Sequence, residues 1–521
     1  MKSVSSIGRL YAALRSVLRV VFTGSALIFA GCSGDDAAQA PSPSAIQSTL
    51  DSAVMAIPIS TTEADRFHTV IATAGERYYA AGFVTLNEDR HMAVARLTQT
   101  GGLDPSFGQN GIATVNVAVG GKTAELARGV VVQSGGKIVI AGPVEHDPTA
   151  SGDAARDTDI AVARFDTTGQ LDPTFGTNGI VRLDLSTGVV SGTAFRGDTS
   201  WGLTLLPGDD LLVVGGKLAD GAGRTDLDYA VVKLTSQGDV DTTFGTNGRV
   251  TLDVEQGGDS PRTAIVQPDG NIVVSGHTSG TNAVVTTVLF RLLPNGQFDS
   301  SFGTNGVVNV ALLASVGEAY DVALQGRNLV IAGYGRDASP GTVDIINARF
   351  LPDGTWDRTY GSNGVAVIDV AGQDDRSRTL QILPDQSVLI VGQGKPTATT
   401  QDGTLVLRIQ NGQRDTRLNG NGVALIDLGG PTNALFGLAL SLDKTEAVAV
   451  GWKSVDVAAV RLTNNGDAKT VHFSLPRHNK KRAQWSLVHR HQPAVGRRGS
   501  LHAREATSLE VKVLTRTPFR L

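Results

Sequence analysis

Leu171-Asp172-Pro173-Thr174-Phe175-Gly176-Thr177-Asn178-Gly179 is the stretch from which the rest of the chain can be read. Its second half returns as Phe107-Gly108-Gln109-Asn110-Gly111, as Phe244-Gly245-Thr246-Asn247-Gly248, as Phe302 to Gly306 and as Tyr360 to Gly364. A degraded copy follows at Leu418-Asn419-Gly420-Asn421-Gly422. The closing glycines Gly111, Gly179 and Gly248 are 68 and 69 residues apart, and from there Gly306, Gly364 and Gly422 follow at intervals of 58. A constant period carrying two insertions marks an array of supersecondary units.

Each period holds four short apolar runs divided by turn signals. In the fourth full copy these are Val307 to Leu312, Ala319 to Leu324, Asn328 to Gly333 and Ile345 to Leu351. Runs of this length, rich in Val, Ile and Ala and closed by Gly, Asn, Asp or Pro, predict strands. Turns such as Pro268-Asp269-Gly270-Asn271 join the second run to the third as a hairpin, because Gly takes φ > 0 without steric penalty and Asp bonds its own backbone.

The third run ends at Gly82, Gly142, Gly216, Gly276, Gly333, Gly392 and Gly451, which counts seven units. The fourth run agrees, from Met92 to Leu97 through to Val457 to Leu462, and Val54 to Ser60 supplies the missing copy of the first run at the N-terminal end. The expected fold is all-β, a seven-bladed β-propeller of four-stranded antiparallel blades, closed if the N-terminal run joins the last unit. An open β-solenoid would need shorter repeats and parallel stacking.

Two stretches carry a family likeness: Ala163-Arg164-Phe165 running through Leu171 to Gly179, and Gln267-Pro268-Asp269-Gly270-Asn271-Ile272-Val273-Val274-Ser275-Gly276. They resemble the delta-60 repeat of bacterial secreted and surface proteins, over about Val54 to Asp467. The resemblance implies a propeller-like β fold and no established activity.

Composition fits this reading: 62 glycines, 5% aromatic and 18% charged residues suit short strands and tight turns. A net charge of −4 over 521 residues gives no global field for nucleic acid, and no nucleic-acid partner is expected. From Asn464 to Leu521 the chain turns basic and holds five of the nine histidines. That tail, 464–521, loses the repeat grammar; it reads either as a basic arm for anionic surface polymer or as an altered or disordered end.

The single cysteine, Cys32, rules out an intramolecular disulfide and a Cys-based zinc cluster. Before it, Lys2, Arg9, Arg15 and Arg19 precede the apolar run Val20 to Ala30, which is too short for a stable transmembrane helix and reads as a secretory signal over residues 1–31. Phe29-Ala30-Gly31-Cys32 resembles the lipobox of bacterial lipoproteins, with Phe29 where leucine is usual. The resemblance implies acylation of Cys32, membrane attachment through an N-terminal lipid anchor and residence in the cell envelope, at the outer membrane or cell surface. An ordinary signal peptide, and hence secretion, is the alternative. Residues 32–52 then form a flexible tether and 53–463 the propeller.

The recurrent Arg96, Arg164, Lys233, Arg291, Arg349, Arg408 and Arg461 are expected to tie each blade to its turn through Asp104, Asp172, Asp241, Asp299, Asp357 or Asp415, rather than form a ring of ligands. Asn110, Asn178, Asn247, Asn305, Asn363 and Asn421 are expected to shape turns. Asp157-Thr158-Asp159 and Asp226-Leu227-Asp228 have spacings open to calcium, but no full loop with a closing Glu exists, and solvated turns are the reading taken. His68, His91, His146 and His277 show no ligand spacing, no catalytic motif is found, and no metal, catalytic residue or cofactor is assigned.

The function expected is therefore a non-catalytic, monomeric surface scaffold for an unidentified protein or polysaccharide. Specificity is placed on two long insertions, Glu145 to Asp157 and Ser186 to Ser200, with Glu145, Asp147, Asp153, Asp157, Arg196 and Asp198 as candidate contacts. The alternative is a hydrolase or lyase acting on envelope or extracellular polymer, with side chains from several blades converging in one mouth.

Overall fold

The computed structural model describes residues 55–57 and 64–463, apart from 76, 100, 119–124, 148–156, 192–193, 281–283, 340, 371, 396–402, 427, 429–431 and 445. The segments expected to be a signal (1–31) and a tether (32–52), with Cys32, and the tail 464–521 lie outside the described residues.

Among the described residues the chain forms seven antiparallel sheets of four main strands, one of them extended by the short strand Gln413–Arg414 and two of them joined by a single parallel bridge between Val285 and Val316; a separate two-stranded hairpin lies outside them. Their innermost strands begin blades 1 to 7 in chain order: Arg66–Thr73, Gly129–Val132, Thr199–Leu205, Gly258–Val266, Val316–Gln325, Arg376–Ile382 and Asn433–Leu440. Within a blade the order is second run, third run, fourth run and then the first run of the following period, so the sequence period straddles two blades. The last blade takes its outer strand from the other end of the chain. Met55, Ala56 and Ile57 pair antiparallel with Ala459, Ala458 and Val457, which closes the ring as the N-terminal run suggested.

The apolar core is split into seven slabs, one between each pair of neighbouring blades. Blade 1 gives Tyr79, Met92 and Phe107 to the first slab and blade 2 gives Val130, Ile138 and Ile140. The closing slab packs Phe67 and Tyr78 of blade 1 on Val448, Val450 and Val457 of blade 7. Because a slab lies on each side of every sheet, the middle strands are buried on both faces. Ile138–Glu145 is buried at all eight positions, which explains continuous apolar runs instead of the alternation of a half-exposed strand. Each fully buried aliphatic or Phe side chain contributes roughly 1.5–3 kcal/mol before conformational entropy is counted.

The Arg-Asp ties form as expected. Arg96 to Asp104 is 2.9 Å, Arg164 to Asp172 2.9 Å, Lys233 to Asp241 2.8 Å, Arg291 to Asp299 2.8 Å, Arg349 to Asp357 2.7 Å and Arg408 to Asp415 2.8 Å. In four blades the guanidinium also stacks on the aromatic ring that opens the repeat motif, 4.6–4.9 Å from its centre at Phe107, Phe175, Phe302 and Tyr360. Three of these arginines reach the next blade's turn, at Thr167 O (2.9 Å), Ser236 O (2.6 Å) and Pro352 O (2.6 Å). In blade 7 Glu446 takes the role of the aspartate against Arg461. The motif asparagines Asn110, Asn178, Asn247, Asn305 and Asn363 sit at φ between 52° and 56°, the left-handed region that Asn tolerates. In the degraded copy that conformation moves to Asn419, at φ 49°, while Asn421 accepts a bond from Val423 N.

Candidate functional site: the central channel

A β-bulge interrupts the inner strand in six blades, between Phe67 and Thr69, Ser200 and Gly202, Pro261 and Thr263, Ala319 and Asp321, Ser377 and Thr379, and Leu435 and Gly437. A bulge leaves one residue out of the ladder and re-aims its side chain. Those residues are His68, Trp201, Arg262, Tyr320, Arg378 and Phe436, and Arg128 holds the matching place in blade 2. All seven line one cavity of about 220 Å³ on the axis where the inner strands meet.

The glycine closing the third run makes the bulge possible. The bulged strand drops its carbonyl onto that glycine, so that a Cβ at Gly142, Gly333 or Gly392 would lie 1.6, 1.7 or 2.0 Å from Leu126 O, Glu318 O or Arg376 O. In blade 3 the residue under the bulge is Gly215, whose Cβ would fall 2.1 Å from Thr199 O, and not Gly216 as the repeat count assumed.

Around the axis the ring runs His68, Arg128, Trp201, Arg262, Tyr320, Arg378, Phe436, an alternation of aromatic rings with guanidinium groups. Arg128 and Arg262 lie 3.5 and 4.2 Å from the centre of Trp201, Arg262 lies 4.3 Å from that of Tyr320, and Arg378 lies 4.7 Å from those of Tyr320 and Phe436. His68 meets Phe436 edge-on at 5.5 Å. Cation–π contact holds Arg262 and Arg378 between rings and Arg128 on the face of Trp201, at roughly 0.5–2 kcal/mol per contact.

Among the described residues none of the three arginines forms an ion pair. Arg128 donates to Thr199 Oγ1 (3.2 Å) and Ser200 O (3.5 Å), and Arg262 to Pro261 O (3.1 Å) and Tyr320 Oη (3.2 Å). The Nε atoms of Arg262 and Arg378 are buried without an acceptor. Burial, with Arg262 nearby, pulls the Arg128 guanidinium down to about 9. Burial and the surrounding arginines push His68 down to about 3, so it stands in the ring as a neutral imidazole. Burial would raise the Tyr320 phenol, but Arg262 and Arg378 outweigh it and hold it below its ordinary value.

Asp321 is the acidic member of the lining, and its oxygens accept Val322 N and Leu380 N, both at 2.9 Å. Burial pushes its carboxyl up to about 7. Below that pH the group is neutral and the channel carries its full positive field; above it the carboxylate offsets part of the field of the three arginines and weakens the attraction for an anion. Affinity for a small anion should therefore fall as pH rises through 7, and Asp321→Asn should flatten the profile in an isothermal titration series. The sign for folding is the same. A carboxyl whose pKa is raised on folding stabilises fully below its unfolded value and loses that contribution as pH climbs through the folded one.

The residues expected to make contacts lie elsewhere, in one insertion joining the second and third strands of blade 2 and another leading from blade 2 to blade 3. Asp198 is fully buried and accepts Leu185 N, Ser186 N (3.0 Å) and Ser186 Oγ (2.5 Å), and burial pushes its carboxyl up to about 6. Asp157 is buried and accepts Thr158 N (2.9 Å) and Gly188 N (3.2 Å). Thr158 Oγ1 in turn donates to the carbonyl of Asp198 at 2.7 Å, so the structure brings these two together as the brace of the insertions. Glu145 is buried at the end of its strand with its carbonyl held by Arg182 (2.7 Å), and Asp147 is exposed. Arg196 contributes backbone to a small hairpin, Val189–Ser191 with Ala194–Arg196; its side chain, and the whole of Asp153, lie outside the described residues. None of the described members lines the channel.

A family model for a domain of unknown function, the DUF5122 β-propeller, matches residues 133–175 and 267–302. No curated protein matches the chain. Solved structures similar to it include the β-propeller domain of the trilobed protease from Pyrococcus furiosus, at 11% identity over 79% of this chain and 97% of that one, TM-score 0.38. Another is Sqt1 from Chaetomium thermophilum bound to the N-terminus of ribosomal protein L10, at 12% identity over 78% and 86%, TM-score 0.37. A third is a polysaccharide lyase described as an ulvan lyase, at 11% identity over 78% and 96%, TM-score 0.40.

Proposed function

We propose that the chain is an exported binding propeller, held at the cell surface through Cys32, whose central channel captures the acidic groups of an extracellular polysaccharide. The observation that carries the reading is the ring itself: three guanidinium groups from three blades, among the described residues without a carboxylate paired to any of them, each stacked on at least one aromatic ring around one cavity. Guanidinium is the side chain best matched to carboxylate and sulfate, and a ligand anion supplies the partner that the fold withholds. Aromatic edges between the cations offer apolar contact to sugar rings. Export and anchoring rest on the sequence of residues 1–32, and the binding role on the channel.

A second reading has one observation in its favour. The Tyr320 hydroxyl, lowered by two flanking arginines and 3.2 Å from both Arg262 Nη2 and Tyr334 Oη, is placed to act as a base beside groups that would neutralise a uronate carboxylate. That is the equipment of a lyase.

A glycan panel containing neutral, uronate-rich and sulfated polysaccharides, with product analysis of every bound member, separates the two. Saturable, salt-sensitive binding of acidic members without new products supports the binding propeller. Unsaturated sugar ends in the product would replace it with the lyase. Indifference to glycan charge, or capture of acidic peptides alone, would remove the polysaccharide assignment.

A further inference from the structure

We propose that Asp344, Asp369 and Asp375 form a calcium site that clasps blade 5 to blade 6. Asp344 opens the third strand of blade 5 (Asp344–Phe350), Asp369 follows its outer strand (Val365–Ile368), and Asp375 directly precedes the inner strand of blade 6. One carboxylate oxygen from each lies within 4.8 Å of the others. Every donor is a hard oxygen, the class that calcium and magnesium take. Three separate elements supply them, and the mix of a buried, a half-buried and an exposed member suits the tolerant geometry of calcium better than the strict octahedron of magnesium.

The second observation is the state of the individual oxygens. Asp375 is 0% exposed; its Oδ2 accepts Val370 N at 2.7 Å, while Oδ1 is buried without a partner. Asp344 Oδ1 is likewise buried and unpartnered. Gly394 borders the Asp375 oxygen so closely that a Cβ there would lie 2.5 Å from Oδ1, which keeps side-chain bulk away from it. A buried carboxylate oxygen is expensive to leave unpaired, and a cation shared by the trio would relieve the two that Asp344 and Asp375 carry.

The repeat itself supplies the comparison. Asp228, Asp253 and Asp259 are the equivalent trio between blades 3 and 4, with the same intervals of 25 and 6 residues. There Arg224 provides the charge, 2.8 Å from Asp253 and 3.6 Å from Asp228. Between blades 2 and 3, Asp159 and Asp184 are again 25 apart, and Arg182 and His146 pair with Asp159 at 2.7 and 2.8 Å. Between blades 5 and 6 no basic side chain among the described residues pairs with any of the three carboxylates. Arg414 donates to the backbone carbonyl of Asp369 and acts on Asp375 through its charge, without a direct pair to any of the three carboxylates. The blade 3–4 trio, where Asp228 Oδ1 and Asp259 Oδ1 are also buried without a hydrogen-bond partner, thus has an arginine paired directly with two of its carboxylates, whereas among the described residues the blade 5–6 trio has no direct side-chain pair.

The test is thermal unfolding of the full chain with calcium or magnesium chloride at matched ionic strength, on the wild type and on Asp344→Asn, Asp369→Asn and Asp253→Asn. These two blade 5 aspartates are less buried than Asp375, and folding of each variant is checked by far-UV circular dichroism without metal. Calcium should raise the wild-type Tm by a few degrees, saturably and with affinity on the order of 0.1–1 mM, and more than magnesium does. Both blade 5 variants should lose the shift and Asp253→Asn should keep it. A wild type indifferent to calcium, or a shift that survives in Asp344→Asn and Asp369→Asn, would overturn the site; if one of these variants fails to fold, the other decides.

Discussion

Arg164→Ala should destabilise the propeller by about 3 kcal/mol or more, read as a drop in the midpoint of urea unfolding. Arg164 is 1% exposed, and every arm of its guanidinium is committed. Nε donates to Asp172 Oδ2 (2.9 Å), Nη1 to Ser236 O (2.6 Å) and Gln133 Oε1 (3.2 Å), and Nη2 to Thr174 Oγ1 (3.0 Å) and Gln237 Oε1 (3.2 Å), over the face of Phe175. Truncation breaks the contact to the following blade's turn and opens a cavity beside Phe175. Lys137, 2.8 Å from Asp172, keeps that carboxylate paired and holds the loss below that of a fully orphaned charge. Arg164→Lys should recover little, although Lys233 fills the same place in blade 3. There Asp210 lies 3.1 Å from the ammonium, whereas blade 2 offers the cationic Lys137 at that position.

Gly333→Ala should be at least as damaging, about 3 kcal/mol or more, because its Cβ would fall 1.7 Å from Glu318 O and the strand must move to admit it. The strand that moves carries Tyr320, so the loss of stability should come with a loss of anion binding. Gly326→Ala is the control: at φ 63° with nothing within 4 Å, it meets only backbone strain of roughly 1 kcal/mol and leaves the channel untouched. Comparable losses in the two variants, measured by the same unfolding assay, would separate the terminal glycines from the bulge.

These glycines show what could be read in the chain beforehand. Gly82, Gly142, Gly276, Gly333, Gly392 and Gly451 fall one to a blade where the repeat count placed them, because their role is geometric and recurs in each of these copies; in blade 3 Gly215 takes that role in place of Gly216. The Arg-Asp ties were legible for the same reason, as was the strand from Met55 to Ile57. The channel was not, because its residues are His68, Arg128, Trp201, Arg262, Tyr320, Arg378 and Phe436, a set with no shared chemistry. They share only a position, three residues after Asp65, Glu125, Asp198, Asp259, Gly317, Asp375 and Asn433. Aligning the second run of every repeat on that column would have exposed the alternation.

The insertions drew attention because length and exposure usually go with recognition. Asp157 and Asp198, however, spend oxygens on backbone amides: Asp157 on Thr158 and on Gly188 of the other insertion, Asp198 on Ser186. The calcium trio escaped a local search for a different reason: Asp344, Asp369 and Asp375 span two blades, and no short motif contains them.

The most direct measurement is the affinity of an acidic oligosaccharide, by isothermal titration calorimetry at low and high salt, for the wild type and for Arg128→Gln, Arg262→Gln and Arg378→Gln. Each guanidinium that meets a ligand carboxylate or sulfate supplies about 1.5–3 kcal/mol, so each substitution should weaken binding by roughly 10- to 100-fold and blunt its salt dependence. Equal affinity across the wild type and all three variants would place recognition away from the channel and contradict its assignment as the binding site.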